Sequence, residues 1–407
     1  MPGFTDKLQA SLDARKAEHL YRSRRVQDSP QAPEVISNGK SMLAFCSNDY
    51  LGLANHPDVI TAFKHGLDIY GAGSGASHLV AGHSRAHHAL EEELAAFTGR
   101  SRALVFSSGF MANVGVLCAL AGKQDHVFED RLNHASLLDG GLYSGAAFKR
   151  YPHLDMAQLA TMLAKSETQG QRFIVSDGVF SMDGDIAPLA QLLAVAERNA
   201  AVVMLDDAHG FGCLGSTGGG LAQVVREQGC DSGEARLAIL VGTFGKALGT
   251  AGAFVAGSAA LIETLIQFCR PYIYTTALPP AVAEATRCSL RLVQQEAWRR
   301  EHLQTLIAQF RVGCMQLGLT LTDSPTPIQG LLLGAAEAAL FASRYLEEQG
   351  ILVSAIRPPT VPNGTARLRI SFSAMHSQAQ VERLLAALAT LAPQLQQREA
   401  KMQEQQA

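Results

Sequence analysis

Basic residues do not outnumber acidic ones in this chain: 34 Lys and Arg stand against 37 Asp and Glu, a formal net charge of −3. A nucleic-acid surface needs a basic face, so that class of partner is excluded. Long hydrophobic runs are missing too. No stretch approaches the roughly 18 apolar residues of a bilayer span; residues 237–262 come closest, and Lys246 and several glycines interrupt them. The first 25 residues are polar and mixed in charge, without the apolar block of a secretory signal. Cysteine is sparse, with seven scattered residues, an odd number, and no C-x-x-C pair. That pattern reads as free thiols in a reducing cytoplasm, most of them filling apolar segments. Charge itself is low, 17% against 47% apolar residues, which excludes disorder for most of the 407 residues and allows a sizeable core.

What is present is α/β alternation. Apolar β-type runs at Ala103–Phe106, Phe173–Ser176, Ala201–Leu205 and Ile239–Thr243 are separated by glycine-punctuated or helical stretches such as His88–Phe97 and Leu189–Arg198. Runs that are apolar throughout suit strands covered on both faces, and strand–helix alternation implies a mostly parallel sheet. Near Leu278–Pro280 the texture changes. One long helical pattern is expected over Ala281–Leu317, then a helix at Ala335–Glu348, strands at Ile351–Ile356 and Ala366–Phe372, and a helix at Gln378–Leu391. The expected division is an N-terminal segment (1–50), a large α/β domain (51–285), a smaller C-terminal α+β domain (286–395) and a polar tail (396–407).

Four polar features fall at strand ends or turns, where an open α/β sheet binds ligands. Ser107-Ser108-Gly109-Phe110 follows the first apolar run and opens a helix, whose free N–H groups and dipole suit a phosphate. A simple helix cap by Ser108 explains the same residues. Asp206-Asp207-Ala208-His209 ends another strand. No further ligand at recognisable spacing accompanies it, so no metal is expected, and a carboxylate against a protonated heterocycle nitrogen fits better. Thr243-Phe244-Gly245-Lys246-Ala247-Leu248-Gly249 sets a lysine in an apolar turn. Burial there lowers an amine's pKa and makes it nucleophilic, as a Schiff-base lysine requires, although a lysine snorkelling from a strand end explains it equally when seen alone. Asn133-His134-Ala135-Ser136 and the loop Ser181-Met182-Asp183-Gly184-Asp185 complete the set. A phosphate cradle, an acid for a pyridine nitrogen and a buried amine, in that chain order, match the binding needs of pyridoxal phosphate.

These residues resemble the α-oxoamine synthase family of fold-type I pyridoxal-phosphate enzymes. The resemblance rests on Ser47-Asn48-Asp49-Tyr50-Leu51-Gly52, the glycine-rich run 71–75, the Asn133–Ser136 and Gly178–Asp185 runs, Asp206–Gly210 and Thr243–Lys246, and it spans about residues 12–391. Within the family, Ala355-Ile356-Arg357-Pro358-Pro359-Thr360-Val361-Pro362 and Leu12-Asp13-Ala14-Arg15 resemble the members that start biotin ring assembly from L-alanine and a pimeloyl thioester. The resemblance implies that Lys246 carries the cofactor, Asp206 pairs with its ring nitrogen, His209 contacts its phenolic oxygen with Ser181 close by, and His134 stacks on its face. It further implies that Ser108, Gly109, Phe110 and Thr243 hold the phosphate, and that Arg22, Asn48, His134, Arg357, Thr360 and Arg369 meet substrate, with Arg369 gripping the amino-acid carboxylate. A homodimer is implied, with Thr275 and Thr276 reaching the partner's phosphate. The acyl group rides on coenzyme A or a carrier protein. Relatives that use glycine or serine, and non-catalytic subunits of this fold, remain as alternatives. Three positions depart from the family pattern: Asp177 and Phe211, expected near the cofactor where they could reshape the substrate pocket, and Gly330.

Overall fold

Pairing begins at residues 34–44 in the computed structural model, which describes residues 3–18 and 20–406. Strands β1 (Glu34–Ser37) and β2 (Lys40–Ala44) form an antiparallel hairpin. Asn38 and Gly39 turn it with φ of 49° and 72°, the backbone that a two-residue Asn-Gly loop adopts because its twist matches that of the strands. Seven strands follow: β3 (Arg102–Phe106), β4 (His126–Asp130), β5 (Ala147–Tyr151), β6 (Arg172–Asp177), β7 (Ala201–Asp206), β8 (Ile239–Thr243) and β9 (Ala253–Gly257). They form one sheet in the order β3-β9-β8-β7-β6-β4-β5, with β9 antiparallel to both neighbours and the other pairings parallel. The expected mostly parallel sheet is thus present.

Alternate side chains explain why the strands read as apolar throughout. Leu104, Val127, Val175, Met204 and Val241 face one layer of helices, including Gly109–Leu120 and Ala259–Phe268. Phe128, Ile174, Val203, Leu205 and Leu240 face the opposite layer, built from Met156–Ala164, Leu189–Arg198 and Leu221–Glu227. Both faces are buried, so neither polarity nor period 2 survives in the strand sequence.

The later elements differ from the expected ones in four places: a helix and a strand are each divided, a strand at Ile328–Gly334 was not expected, and the last helix runs past Leu391 to Gln406. The helical pattern breaks at Glu296 (φ −106°, ψ 62°) into Pro280–Gln295 and Ala297–Gln316. Arg299 is tied there to the Glu296 carboxylate and the Leu51 carbonyl, and Arg300 to the carbonyls of Val293 and Ser216, so side-chain bonds fix the corner. The single strand expected at 351–356 is two. β10 (Ile328–Gly334) is followed by β11 (Ile351–Leu352), which pairs parallel with β2, whereas β12 (Ser354–Ile356) pairs with β13 (Ala366–Ser371), and β13 pairs with β10. Buried Val353 marks the crossing between sheets. This crossing joins the N-terminal hairpin to the C-terminal elements. The chain ends in a helix, Gln378–Gln406. Among the described residues no helix is long and apolar enough to cross a membrane.

The outer edge of β3 is closed by Glu91 of the helix Arg85–Thr98, whose carboxylate accepts the Val105 N–H at 2.9 Å. An edge N–H without a strand partner is satisfied in this way. Burial pushes the Glu91 pKa up to about 8. The folded state therefore retains a proton that the unfolded chain releases near its ordinary value of 4.5. Stability from this group is full below that value and is lost as pH rises towards about 8. In chemical denaturation followed from pH 5 to 9, Glu91→Gln is expected to flatten the decline; an unchanged slope would exclude Glu91 as its source.

Candidate active site

The carboxyl ends of β3, β6, β7 and β8 open on the same side of the sheet, and each brings one polar group. At the end of β3, Ser108 caps the helix Gly109–Leu120, its hydroxyl accepting the Met111 N–H at 3.2 Å. The first N–H groups of such a helix have no intrahelical partner and are available to an anion. Phe110 in the first turn is 48% exposed. At the end of β8, Thr243 is followed by the turn that carries Lys246, and Lys246 Nζ donates to Thr243 Oγ1 at 3.4 Å. The turn needs glycine at its far end. Gly249 has φ +65°, and a Cβ there would lie 2.2 Å from the Ala54 N.

Residues Asp206 and Asp207, adjacent in sequence, part company in the fold. Asp206 sits at the end of β7 beside Asp177 of β6. Its carboxylate accepts from Asn113 Nδ2 at 2.6 Å and from the Ala208 N–H at 3.0 Å. Asp207 turns away from the site. It accepts the Leu221 N–H at 2.6 Å, and side chains at Gly178, Gly210 or Gly220 would each collide with its carboxylate oxygens. Burial pushes its pKa up to about 8. One aspartate therefore serves the site and the other staples the loops behind it.

Electrostatic coupling marks a tight group around the amine. Desolvation lowers the Lys246 pKa, Asp206 and Asp177 pull it back up, and Arg369 lowers it again. Burial raises the Asp177 pKa well above its ordinary value, and neighbouring Asp206 adds to the rise. His209 is held neutral by burial, with Lys246, Arg369 and His134 acting in the same direction. His134 follows β4 and lines the cleft; its backbone N–H donates to Asp177 Oδ2 at 2.7 Å, and its pKa is lowered by desolvation against the pull of Asp206.

Arg369, from the middle strand β13 of the C-terminal sheet, closes the group from the other side. It donates from Nε to the Ser181 carbonyl at 2.6 Å, from Nη1 to Ser371 Oγ at 2.9 Å, and from Nη2 to Asn48 Oδ1 at 3.1 Å and Tyr50 Oη at 3.2 Å. The Tyr50 hydroxyl in turn lies 2.7 Å from His209 Nδ1. Arg369 thus bonds to one lining residue of each of two cavities, Ser181 and Asn48. A cleft of about 1920 Å³ is lined by Arg22, His134, Ser181 and Thr360, and a smaller cavity of about 440 Å³ by Asn48, Gly245 and Lys246.

Of the residues expected at a site, the structure gathers Ser108, Gly109, Thr243, Lys246, Asp206, His209, His134, Ser181, Asn48 and Arg369. Arg22 and Thr360 stand on the cleft wall, and Arg357 donates to the Tyr21 carbonyl at 3.0 Å. Thr276 accepts from Ser107 Oγ through its carbonyl at 3.3 Å, next to the Ser108 cap. Phe211 does not reach either cavity. It is buried against Phe97 and Phe254, because a ring at that position completes the core cluster, so the expected influence on substrate is corrected. Gly330 lies in β10 where a Cβ would meet Thr322 at 2.8 Å. Three contributors escaped the sequence reading of roles. Tyr50 lay inside a quoted run, Asp177 was noted only as a departure, and Asn113 sits one turn beyond Gly109 on the same helix face, a spacing that could have found it.

The chain matches the aminotransferase class I and II family model over residues 40–388. It is similar to the 8-amino-7-oxononanoate synthase of Cellvibrio japonicus, 60% identical over 386 residues that cover 95% of this chain and 96% of that one. Among solved structures it is similar to serine palmitoyltransferase from S. paucimobilis, with a TM-score of 0.89 at 32% identity over 96% of this chain and 98% of that one. It is similar also to the 8-amino-7-oxononanoate synthase of Francisella tularensis, with a TM-score of 0.74 at 33% identity over 86% and 97% of the two chains.

The tyrosine hydroxyl is buried and joins His209 to Arg369, so removing it strands two buried polar groups. Tyr50→Phe is expected to destabilise the protein by about 1–3 kcal/mol, read as a lower denaturant midpoint at unchanged slope; no change would show that these groups find other partners.

Proposed function

Because the chain belongs to the aminotransferase class I and II family, we propose that it condenses L-alanine with a pimeloyl thioester, a step of biotin biosynthesis. The products are 8-amino-7-oxononanoate, carbon dioxide and the free thiol. The observation that carries this reading is 60% identity over 95% of the chain with an enzyme named for that product. The expected alternatives that use glycine or serine have weaker support, since the serine palmitoyltransferase likeness stands at 32% identity.

The residues present fit pyridoxal phosphate, the cofactor of this family. A helix N-terminus with free N–H groups stands ready for the phosphate, and its first residue, Gly109, has no room for a side chain, because a Cβ would lie 2.6 Å from Thr243 Cγ2. An amine of lowered pKa lies within electrostatic reach of a buried carboxylate, that of Asp206. In this reading Lys246 holds the cofactor through Nζ, Asp206 the pyridine nitrogen, His209 and Ser181 the phenolic oxygen, and His134 the ring face, while Ser108, Gly109, Phe110 and Thr243 hold the phosphate.

Pyridoxal phosphate, when bound, supplies an electron sink for negative charge developing at the amino-acid Cα. The protein does the rest. Asp206 keeps a proton on the ring nitrogen, since an adjacent carboxylate favours the charged heterocycle. Lys246, once free, takes the Cα proton, and its lowered pKa keeps the unprotonated amine available nearer neutrality than an ordinary lysine. Arg369 binds the alanine carboxylate. Among the described residues Nη1 bonds only to Ser371, which leaves one of its hydrogens for the carboxylate, and the carboxylate competes with Asn48 and Tyr50 for Nη2. Arg22, Arg357 and Thr360 contact the acyl substrate, carried by coenzyme A or a carrier protein, along the cleft. A homodimer belongs to the same reading: Phe110, Leu142, Tyr143 and Tyr274 are between 48% and 70% exposed, an apolar set that a second copy would cover. Thr275 and Thr276 would then reach the partner's phosphate. The division into a large cofactor-binding unit (51–285) and a smaller C-terminal unit (286–395) is part of this proposal. Seven cysteines without a disulfide support a cytoplasmic setting.

Purified protein loaded with cofactor should release thiol from pimeloyl-CoA with alanine, and much less with glycine or serine. Thiol release with glycine or serine at equal or higher kcat/KM would overturn the assignment. Lys246→Ala should abolish the visible absorbance of the bound cofactor and lower turnover by at least about 10²–10⁴-fold, the range of a lost general base.

A further inference from the structure

The site contains a buried amide for which the proposed function, on which this inference rests, assigns no role. Asn113 lies on the helix Gly109–Leu120 and is 1% exposed. Its Nδ2 donates to Asp206 Oδ2 at 2.6 Å and to Ser136 Oγ at 2.9 Å, so both amide hydrogens are used. Its Oδ1 is buried without a partner. Such an oxygen is costly to leave alone, and turning the amide over would give it the Ser136 hydroxyl. The turned amide would also set oxygen against the acceptor-only Asp206 carboxylate, which forbids it. Asp206 therefore dictates which way Asn113 points.

Direction then passes outward. The Ser136 hydroxyl accepts from Asn113 and keeps its own hydrogen to donate, and His134 Nδ1 lies 2.8 Å away, made an acceptor by a second group that can only donate. The Ser136 backbone N–H points at the same nitrogen from 3.3 Å. Nδ1 is an acceptor in both contacts, so the proton of the neutral imidazole resides on Nε2. Among the described residues no group bonds to Nε2, and the ring lines the cleft. We infer that Asn113 is a positioning residue that ties Asp206 to His134, fixing the carboxylate plane and, through Ser136, presenting His134 to the cleft as an Nε2–H donor. The two residues that would flank the cofactor, at its nitrogen edge and on its face, are thereby set by one amide on the helix whose N-terminus faces its phosphate.

The test uses holoenzyme selectively labelled with ¹⁵N-histidine, together with Asn113→Asp, Asn113→Leu and Ser136→Ala. Long-range ¹H–¹⁵N correlation should place the His134 proton on Nε2 in the wild type. Asn113→Asp keeps the shape but offers Asp206 a hydrogen only when the new carboxyl is protonated. Its kcat should fall about tenfold or more at neutral pH and recover as the pH is lowered, a profile that a merely structural role does not produce. Asn113→Leu, which cannot donate at any pH, should lose at least tenfold in cofactor affinity without recovery, and should mix the His134 tautomers. Ser136→Ala should do so too, while Asp206 stays bonded and cofactor affinity holds. A wild-type proton on Nδ1, a His134 signature unmoved in all three variants, or an Asn113→Asp profile parallel to wild type would each overturn the inference. Because the tautomer is read without substrate, its failure is distinguishable from failure of the proposed condensation, which shows as absence of thiol release by the wild type.

Discussion

An amine withdrawn from bulk water and balanced by two aspartates is the interaction on which the rest of this site depends. Lys246 is desolvated, which favours its neutral form, while Asp206 and Asp177 favour the charged one. The sheet enforces the meeting. Asp177 and Asp206 are register partners on adjacent strands, and Val241, beside Asp206 on the next strand, leads directly to Thr243 and the lysine turn. Parallel strands deliver their carboxyl ends to one edge, so three polar segments far apart in sequence converge without any long loop. The cost of gathering charge there is offset by hydrogen bonds aimed at each carboxylate: His134 N–H to Asp177, Asn113 and Ala208 N–H to Asp206.

The second constraint comes from the C-terminal elements. β11 pairs with the N-terminal hairpin and β12 with β13, which holds Arg369 against Ser181, Asn48 and Tyr50. One guanidinium therefore joins segments near residues 50, 181 and 369. Its fork geometry suits that task and also suits a carboxylate, so the group that closes the fold across the site is the one proposed to recognise the amino acid. His209 receives its neighbour Tyr50 through the same network and remains neutral.

Much of this was legible in advance, and the reasons are specific. The strands of the large sheet announce themselves because both faces are buried, and glycine and serine mark their ends. Lys246 stands out because an apolar, glycine-rich turn is a poor place for a solvated charge. The strands β4, β5 and β9 were harder. β5 carries Lys149 and Arg150 at the sheet's edge, where solvent access blurs the apolar signal, and the antiparallel direction of β9 has no local signature. The split of residues 351–356 between two sheets was not readable either, since both halves are apolar and only their partners differ.

By itself the sequence determined the class of the sheet and the order along the chain of the serine-glycine turn, the aspartate pair and the lysine turn, because these follow from local composition and spacing. Tertiary structure alone decided which of two neighbouring aspartates faces the amine, that Phe211 belongs to the core, and that Tyr50 and Asn113 complete the site. Each of those outcomes depends on a partner distant in sequence: Leu221 for Asp207, Phe254 for Phe211, Arg369 for Tyr50, Asp206 for Asn113. Hydrogen-bond direction and packing are properties of pairs, and the pairs exist only once the chain is folded.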